Sequence, residues 1–257
     1  MLSLLLTACK KVEPVNLFFS VEDDKNLGLQ LRSEIESNPD EYPVLDREEY
    51  PDAYAYIENL RDQVLESDAI IYRDEFDWEI RIIDDEVLNA FAAPGGYIYF
   101  YTGLIKFLEE EDDLMGVMGH EIAHADQRHS VKQMTKTYGV QLLLSAALGE
   151  NPSMVEQVLA GIASQGASLK FSRSDETEAD AYSVEYLSTT PYRCDGAAVF
   201  FQRLSDESSG VEVPAFLSTH PNPETRVEDI TSRAEELECS TTAFAPDSYD
   251  AFKAMLP

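Results

Sequence analysis

The sequence predicts an α+β fold that is mostly helical and contains one small β-sheet. Apolar residues recur at helical spacing along much of the chain, whereas β-forming residues cluster only between residues 78 and 101. With 257 residues and 44% hydrophobic side chains, the chain can bury one substantial core. We therefore expect one domain over residues 50–257, preceded by an N-terminal tether with a short helix over residues 10–49.

The first half of the chain is expected to supply two helices and the sheet. The helices are predicted at residues 27–36 and 50–67, and the strands at residues 78–83, 87–92 and 97–101. We assign the turn between the last two strands to Pro94-Gly95-Gly96, because proline and glycine favour tight turns.

The second half is predicted to be helical. A helix is expected at residues 112–130, with Asp112 and Asp113 near its positive end. Residues 137–148 are apolar but too few to cross a bilayer, and Asn151-Pro152 separates them from another helix. We interpret these last two helices as ordinary core packing, with coverage of a cleft as the alternative.

The predicted helix at residues 112–130 contains the run His120-Glu121-Ile122-Ala123-His124. Two histidines four residues apart lie on one helix face, about 6 Å apart, so both imidazoles can reach one metal ion. Glu121 lies beside them, next to the open coordination position of such an ion. The alternative is a structural histidine pair, but apolar and small residues surround the run, and buried imidazoles need partners. The run therefore predicts a metal site.

The extended form of this pattern is absent. It would need glycine at position 127 and histidine at position 130, where the chain has Gln127 and Ser130. His129 follows His120 by nine residues, which on a continuous helix puts it on the opposite face. We interpret His129 as a helix-end or surface residue, with a side chain that supports a metal ligand as the alternative.

A third ligand must come from elsewhere in the chain, because catalytic zinc sites usually have three protein ligands. The segment after Ser174, which we predict to be an N-cap, is acidic and continues as a helix. Glu176 and Asp180 are one turn apart on one face, whereas Glu178 points about 160° away. Glu176 could therefore bind the ion while Asp180 accepts a hydrogen bond from a ligand histidine. The alternative is an ordinary solvated first turn.

Together these motifs resemble the M48 family of zinc metallopeptidases. The resemblance is carried by residues 120–124 and 172–180 and by the stretches at residues 89–96, 101–104 and 220–221, and it spans roughly residues 50–235. It implies a zincin-like fold whose small sheet borders the active-site cleft, and one Zn²⁺ per chain held in a metallopeptidase domain over residues 50–257.

The resemblance also implies roles for individual residues. Glu176 would be the third metal ligand beside His120 and His124, Glu121 the general base, and Asp180 a carboxylate that supports a ligand. The chain lacks the long apolar spans of the integral-membrane members. We therefore expect it to belong to the soluble or lipid-anchored bacterial branch.

Three further features are expected near the site. His220 lies on a proline-rich loop and could bind zinc at rest or stabilise the oxyanion, with helix capping as the alternative. Arg226 is a second candidate for binding substrate or oxyanion. In the resembling family the strand Asn89-Ala90-Phe91-Ala92 borders the zinc cleft, where an extended substrate can add as a further strand. The alternative for this segment is an ordinary edge strand.

The N-terminal nine residues are interpreted as a partial lipoprotein signal. Leu6-Thr7-Ala8-Cys9 looks like the lipobox of bacterial lipoproteins, in which Cys9 is lipidated. No Lys or Arg precedes this short apolar run, which is why we interpret the signal as partial; an incidental cysteine is the alternative. Lys10 resembles the residue that favours sorting to the outer membrane. We therefore expect a lipoprotein of the bacterial cell envelope that faces the periplasm from the outer membrane.

The remaining cysteines and the charge limit the partners. Cys194 and Cys239 are expected to form a disulfide in an oxidising compartment, with two unpaired thiols as the alternative. The chain has 49 acidic and 19 basic residues, a formal net charge of −30. Nucleic acid and anionic lipid repel such a chain, so we expect protein or peptide substrates and membrane contact only through a lipid anchor. Nothing in the sequence specifies an oligomeric state.

The sequence therefore predicts a zinc endopeptidase that hydrolyses misfolded or unassembled envelope proteins, with Glu121 activating the attacking water. One alternative is a chaperone-like quality-control module whose metal site is structural or latent. Another is a metal-dependent hydrolase that acts on a bond other than the peptide bond. The presence of Glu121 favours catalysis, because a structural site needs no base.

Overall fold

A computed structural model describes residues 19–163, 170–207, 215–221, 225–244 and 248–257. The predicted lipobox with Cys9, residues 10–18 of the predicted tether, and Asn222 in the loop after His220 lie outside the described residues. None of the helices in the described part of the chain combines the length and the hydropathy needed to span a membrane.

The sheet has three strands in the described residues, and they lie close to the predicted positions. They are β1 (Ile80–Ile83), β2 (Ala90–Ala93) and β3 (Tyr97–Tyr101), in the order β1-β3-β2. β1 runs parallel to β3, and β2 runs antiparallel to it on the other side. β1 starts two residues later than predicted, because Trp78 has a left-handed backbone conformation (φ 47°) that a strand cannot continue.

The turn between β2 and β3 is a short 3₁₀ turn, Pro94–Gly96, as predicted. Gly95 and Gly96 have φ angles of 77° and 88°, which L-residues with a side chain rarely adopt. A Cβ atom at Gly96 would also lie 2.9 Å from the backbone nitrogen of Trp78. Glycine is therefore required here both by backbone conformation and by close packing.

Helices make up most of the described chain, as predicted. Their bounds are α1 Val21–Ser37, α2 Pro51–Leu65, α3 Thr102–Phe107, α4 Glu111–Asp126, α5 His129–Tyr138, α6 Val140–Ala147, α7 Pro152–Ala163, α8 Arg173–Leu187, α9 Gly196–Glu207, α10 Ala215–Thr219, α11 Arg226–Leu237 and α12 Ser248–Lys253. The helix predicted at residues 112–130 is two helices, α4 and α5, and the one predicted at residues 27–36 is longer at its N-terminus.

The sheet is buried on both faces, and each face joins a different apolar cluster. Ile98 and Phe100 of β3 point into the larger cluster, which is built with α2, α4, α8 and α9. Tyr97, Tyr99 and Tyr101 point the other way, into a cluster built with α1, α5, α6 and α7. This alternation follows from the two-residue period of a strand. The pair α6 and α7 thus contributes to the second cluster, in line with the core-packing interpretation.

Helix α1 belongs to this second cluster. Leu27, Leu31 and Ile35 on one of its faces are fully buried. At its N-terminus, Asp24 forms a buried ion pair with Arg128, which follows α4. The segment predicted as a tether with a short helix therefore contains a helix that is packed into the body of the protein.

Helix α4 crosses the centre of the molecule and is buried along its whole length. Two glycines allow its neighbours to approach closely. A Cβ atom at Gly116 would lie 2.3 Å from the backbone nitrogen of Ala197 in α9, and one at Gly119 would lie 2.8 Å from the hydroxyl of Ser183 in α8. These two small residues therefore bring α4 into close contact with both α8 and α9.

A disulfide joins Cys194, just before α9, to Cys239, just after α11. Their Cα atoms are 6.2 Å apart, and 45 positions of sequence separate them. In the chain-entropy model, closing a loop of this length stabilises a fold by up to about 4 kcal/mol. The bridge therefore ties the end of α11 to the base of α9, which packs against α4.

Candidate metal centre

The helix that carries the histidine pair ends earlier than predicted. α4 stops at Asp126, because Arg128 takes the left-handed conformation (φ 57°) that a right-handed helix cannot contain. A buried ion pair holds Arg128 in place, since its Nε and Nη2 donate to the two carboxylate oxygens of Asp24 over 2.6 and 2.8 Å. As a result, the chain changes direction before His129, where α5 begins.

His120 and His124 face each other on one side of α4, as predicted. Their Nε2 atoms are 2.9 Å apart, and both rings are buried. Burial lowers the pKa of His120 to about 4 and the pKa of His124 well below its ordinary value. Both imidazoles are therefore neutral near pH 7, which is the form that binds a metal ion.

Helix α8, which brings the predicted third ligand, begins at Arg173 and has Ser172 as its N-cap. The Ser172 hydroxyl accepts a hydrogen bond from the backbone nitrogen of Asp175, and the Asp175 carboxylate accepts one from the backbone nitrogen of Ser172. The prediction of Ser174 as the N-cap is wrong, because only Ser172 has an acidic residue three positions later to close this capping box.

Glu176 reaches the histidine pair from α8. Its Oε1 lies 3.5 Å from Nε2 of His124, and its Oε2 lies 3.6 Å from Nε2 of His120. His220, at the end of α10, joins them, and one ligand atom from each of these four residues lies within 4.8 Å of the other three. The Nδ1–H of His220 donates to the carbonyl oxygen of Phe216 at 3.3 Å, which leaves the Nε2 lone pair facing the cluster.

The cluster contains buried polar atoms that fit a cation. Oε1 of Glu176, both carboxylate oxygens of Glu121 and Nε2 of His220 find no hydrogen-bond partner among the described residues, and Oε2 of Glu176 has only the ion-pair contact with Nη1 of Arg226 at 2.9 Å. Leaving such atoms without partners in a protein interior costs about 1–3 kcal/mol each, and more if they are charged. A divalent metal ion bound by His120, His124 and Glu176 would satisfy the ligand oxygens, and this donor set matches that of catalytic zinc sites.

Glu121 lies next to this cluster but is not one of its ligand atoms. It is fully buried, and Oε1 is 3.4 Å from Nε2 of His220. Burial raises the pKa of the Glu121 carboxyl to about 8, although Arg226 and the backbone of Ala92 act in the opposite direction. The carboxyl group can therefore change its protonation state near neutral pH, as a general base must.

Asp180 contacts His120, one of the two candidate ligand histidines, as predicted. One of its carboxylate oxygens lies 3.0 Å from Nδ1 of His120, which places the proton on Nδ1 and the lone pair on Nε2. Burial alone would raise the pKa of Asp180, but Arg226 and His120 outweigh it and hold the pKa below its ordinary value. Asp180 is therefore an ionised acceptor for His120.

Arg226, the first residue of α11, lies in the site but has contacts different from those predicted. Its guanidinium donates to both oxygens of Asp180, at 2.6 and 2.8 Å, and its Nη1 is 2.9 Å from Oε2 of Glu176. Phe201 covers it, with the ring centroid 3.6 Å from the guanidinium carbon. Only 1% of Arg226 is exposed. These contacts indicate that the guanidinium holds two acidic side chains in position and is not presented to substrate.

The interpretation of His129 as a helix-end or surface residue is correct only in its first part. His129 begins α5 but is fully buried, and its Nδ1 lies 2.9 Å from Nδ1 of the ligand His124. The predicted position of His129 assumed a continuous helix. Because the chain changes direction at Arg128, the imidazole of His129 instead points back to the site. Glu178, which points away from Glu176, lies 3.3 Å from Nε2 of His129. Sequence reasoning gave His129 a contact with a metal ligand only as an alternative, and it did not assign Glu178 to the site.

The cluster is closed in this structure. Each of the four clustered side chains is 0–1% exposed. Phe171 stacks on His124 at a centroid distance of 4.0 Å, and Phe216 of α10 stacks on His220 at 4.2 Å. A peptide can therefore reach these atoms only if α10 and its neighbours move.

The predicted substrate strand lies beside the cluster, at the edge of the sheet. Within the described residues β2 pairs only with β3, so one side of it has no neighbouring strand. Two carbonyl groups on that side are already used: Ala92 accepts from the hydroxyl of Ser130 at 2.6 Å, and Leu88 accepts from the backbone nitrogen of Phe216 at 3.0 Å. α10 thus contacts both the edge strand and the cluster.

Known proteins resemble this chain over the same region. The model of peptidase family M48 matches residues 51–234. The beta-barrel assembly-enhancing protease of Yersinia pestis is 30% identical over 178 residues, which cover 65% of this chain and 36% of that protein. The mitochondrial metalloendopeptidase OMA1 of Schizosaccharomyces pombe is 31% identical over 165 residues, covering 63% of this chain and 48% of that protein. Metalloprotease YcaL of Escherichia coli is 28% identical over 149 residues, covering 57% and 58%.

This chain thus spans between about a third and three fifths of the length of these relatives. The matched residues run from α2 to α11 and include the histidine pair, the acidic segment of α8 and Arg226. The match covers more than half of the chain and contains every residue of the cluster. Sequence motifs, converging side chains and family model therefore agree, and the chain belongs to peptidase family M48.

Proposed function

We propose that this protein is a zinc-dependent endopeptidase. The observation that supports this most directly is the convergence of two neutral imidazoles, His120 and His124, with the carboxylate of Glu176 from a distant helix. Glu121 stands next to these ligands with both oxygens unpaired among the described residues. A structural site has no need of such a carboxylate, whereas hydrolysis of a peptide bond needs a base at this position.

The chemistry follows from the positions of the side chains. When bound, zinc would make a water molecule more acidic and polarise the scissile carbonyl group. Glu121 accepts a proton from the attacking water and then passes it to the leaving amine. Asp180 keeps the Nδ1 proton of His120 in place, so that the lone pair of this imidazole is on Nε2, the nitrogen that would bind the metal ion.

His220 has a role in the closed arrangement. Its Nε2 lies within 4.8 Å of the candidate ligand atoms, so we propose that His220 would be a further ligand of the metal ion at rest. When α10 moves away, His220 would leave the metal ion and could then stabilise the oxyanion. The same movement would release the carbonyl group of Leu88 from Phe216, which lengthens the edge of β2 that is available to an extended substrate.

We further propose that the substrates are unassembled proteins of the bacterial envelope, β-barrel proteins of the outer membrane among them. The relative in Yersinia pestis is named for enhancing β-barrel assembly. The disulfide between Cys194 and Cys239 fits an oxidising compartment, and binding through main-chain hydrogen bonds at β2 tolerates many sequences. Chains that have not yet paired their strands expose the extended backbone that such an edge binds.

A metal-dependent digest tests this function. Purified protein should cleave casein and an unfolded β-barrel protein, lose all activity with 1,10-phenanthroline, and regain it with one equivalent of Zn²⁺. Free zinc at 100 times its Kd should also stabilise the metal-free protein by about 2.7 kcal/mol. The isomer 1,7-phenanthroline, which cannot chelate, is the matched control. Cleavage that survives removal of the metal would contradict the proposal, and suppressed aggregation without any cleavage would favour the chaperone alternative.

We also propose that the chain is anchored through a lipid on Cys9. The basis is the lipobox-like run Leu6-Thr7-Ala8-Cys9, together with the large negative charge, which leaves acyl chains as the means of membrane attachment. The change Cys9→Ser should shift the protein from the membrane fraction to the soluble fraction of a bacterial host and abolish labelling with radioactive palmitate. Cys239→Ser, with the Cys9 site intact, is the control that should keep both. Membrane association and labelling that are unchanged in Cys9→Ser would refute the anchor.

A further inference from the structure

We infer that His129 is a positioning residue that holds the metal ligand His124 through a hydrogen bond, and that Glu178 anchors His129 in turn. This inference rests on the proposed metal site. Nδ1 of His129 lies 2.9 Å from Nδ1 of His124, and Nε2 of His129 lies 3.3 Å from Oε2 of Glu178. The three side chains thus form a line from the cluster to the surface, where Glu178 is partly exposed.

The positions of the protons along this line follow from a single requirement. If Nε2 of His124 binds the metal ion as a neutral imidazole, the proton must be on Nδ1, and this N–H donates to His129. Nδ1 of His129 is then the acceptor, so its own proton is on Nε2 and is donated to the carboxylate of Glu178. Only one set of tautomers satisfies both contacts. The hydrogen bond to His129 lowers the pKa of Glu178, as expected for an ionised acceptor.

The surrounding fold fixes His129 in this position. The left-handed conformation of Arg128, held by Asp24, turns the chain so that the imidazole points back to α4. Phe171 covers His124 at a centroid distance of 4.0 Å and lies 6.3 Å from the ring of His129. His129 is fully buried, so water does not compete for its nitrogens.

The two ligand histidines are therefore supported in different ways by the same helix. His120 contacts the carboxylate of Asp180 directly, at 3.0 Å. His124 reaches the carboxylate of Glu178 only through the additional imidazole. Glu176, Glu178 and Asp180 all belong to α8, so this helix supplies one ligand and both anchors. This explains how Glu178 contributes to the site although it points away from the metal ligands.

A second metal site is the main competing explanation. His129, Asp175 and Glu178 each offer a ligand atom, and these atoms lie within 4.8 Å of one another. However, Nδ1 of His129 is directed at His124, and Nε2 is 3.9 Å from Asp175. Lys132, 3.9 Å from both carboxylates, places a positive charge where a second cation would bind. These contacts favour hydrogen bonding over metal binding at this position.

Zinc affinity measured by chelator competition tests the inference. His129→Leu should weaken zinc binding by about 10–100-fold, the usual effect of losing a group that orients a ligand. His129→Asn keeps an acceptor near the position of Nδ1 and should bind zinc more tightly than His129→Leu. Glu178→Gln should cause a smaller loss. The control Glu185→Gln, on the same helix but paired with Arg233 instead, should cause none.

Unchanged affinity in His129→Leu, or equal affinities for the leucine and asparagine variants, would overturn the inference. Two zinc ions per wild-type chain, one of them lost in Glu178→Gln, would also overturn it. Nitrogen-15 NMR of the zinc-loaded wild type gives an answer that does not depend on whether the variants fold. His129 should be the Nε2–H tautomer, and an Nδ1–H tautomer would contradict the inference. If wild type binds no zinc, the proposed function fails instead, so the two failures are distinguishable.

Discussion

Replacing Glu121 with glutamine is expected to reduce peptide hydrolysis by about 10²–10⁴-fold, the usual contribution of a general base. Glutamine has nearly the same shape as glutamate but cannot accept a proton from the attacking water. The ligand atoms of His120, His124 and Glu176 do not include this side chain, so zinc should still bind at one equivalent per chain. The fold should tolerate the change, because glutamine fills the same fully buried position and introduces no charge there.

The measurements are the initial rate of casein cleavage and the zinc content of the same preparation. Glu111→Gln is the matched control: Glu111 is also a buried glutamate of α4, but it accepts hydrogen bonds from Tyr192 and Ser248, away from the cluster. That variant should retain hydrolysis. Full activity in a zinc-loaded Glu121→Gln protein would show that Glu121 is not the base.

The second large effect is expected on stability. Arg226→Met removes the positive charge that lies between Asp180 and Glu176, and it leaves two buried carboxyl groups without their partner. Breaking a buried ion pair in this way typically costs about 3–5 kcal/mol. For a chain of this size, the melting temperature of the metal-free protein should fall by about 10 °C. Bound zinc would neutralise Glu176, so the fall should be smaller in the zinc-loaded protein.

Two comparisons make this prediction specific. Arg226→Lys should restore little, because one ammonium group cannot donate to both oxygens of Asp180 as the guanidinium does. Arg193→Met removes a similarly paired but less buried arginine, which contacts Asp195, and should cost about 1 kcal/mol or less. If Arg226→Met instead lowered kcat and left the melting temperature unchanged, the role predicted from sequence, oxyanion binding, would be favoured.

The sequence was most informative where chemistry depends on local periodicity. Positions 120 and 124 must share a face of any helix, and positions 176 and 180 likewise, so these side chains could be proposed for one site without knowing the fold. The α+β class with its small sheet followed from the residue patterns, the zincin-like fold followed from the family resemblance, and both are confirmed. The N-cap Ser172 was also detectable, because Asp175 follows it at capping-box spacing.

Other parts of the site depend on contacts between distant segments. No local signal marks Arg128 as the residue that ends α4, since arginine rarely takes a left-handed conformation. Asp24, 104 positions away, stabilises that conformation through the buried ion pair. The burial of His129 and the pairing of Arg226 with Asp180 depend on tertiary contacts of the same kind. Helical phase alone therefore could not predict them.

The position of three acidic side chains on one helix has a further consequence. Because α8 is a rigid rod, any slide or tilt relative to α4 alters the distances from Glu176, Glu178 and Asp180 to their partners simultaneously. The distance between α4 and α8 is limited by a close contact at Gly119, where there is no room for a side chain next to Ser183. The spacing of the candidate metal ligands is therefore expected to depend on the steric fit between Gly119 and Ser183 as well as on the ligand side chains themselves.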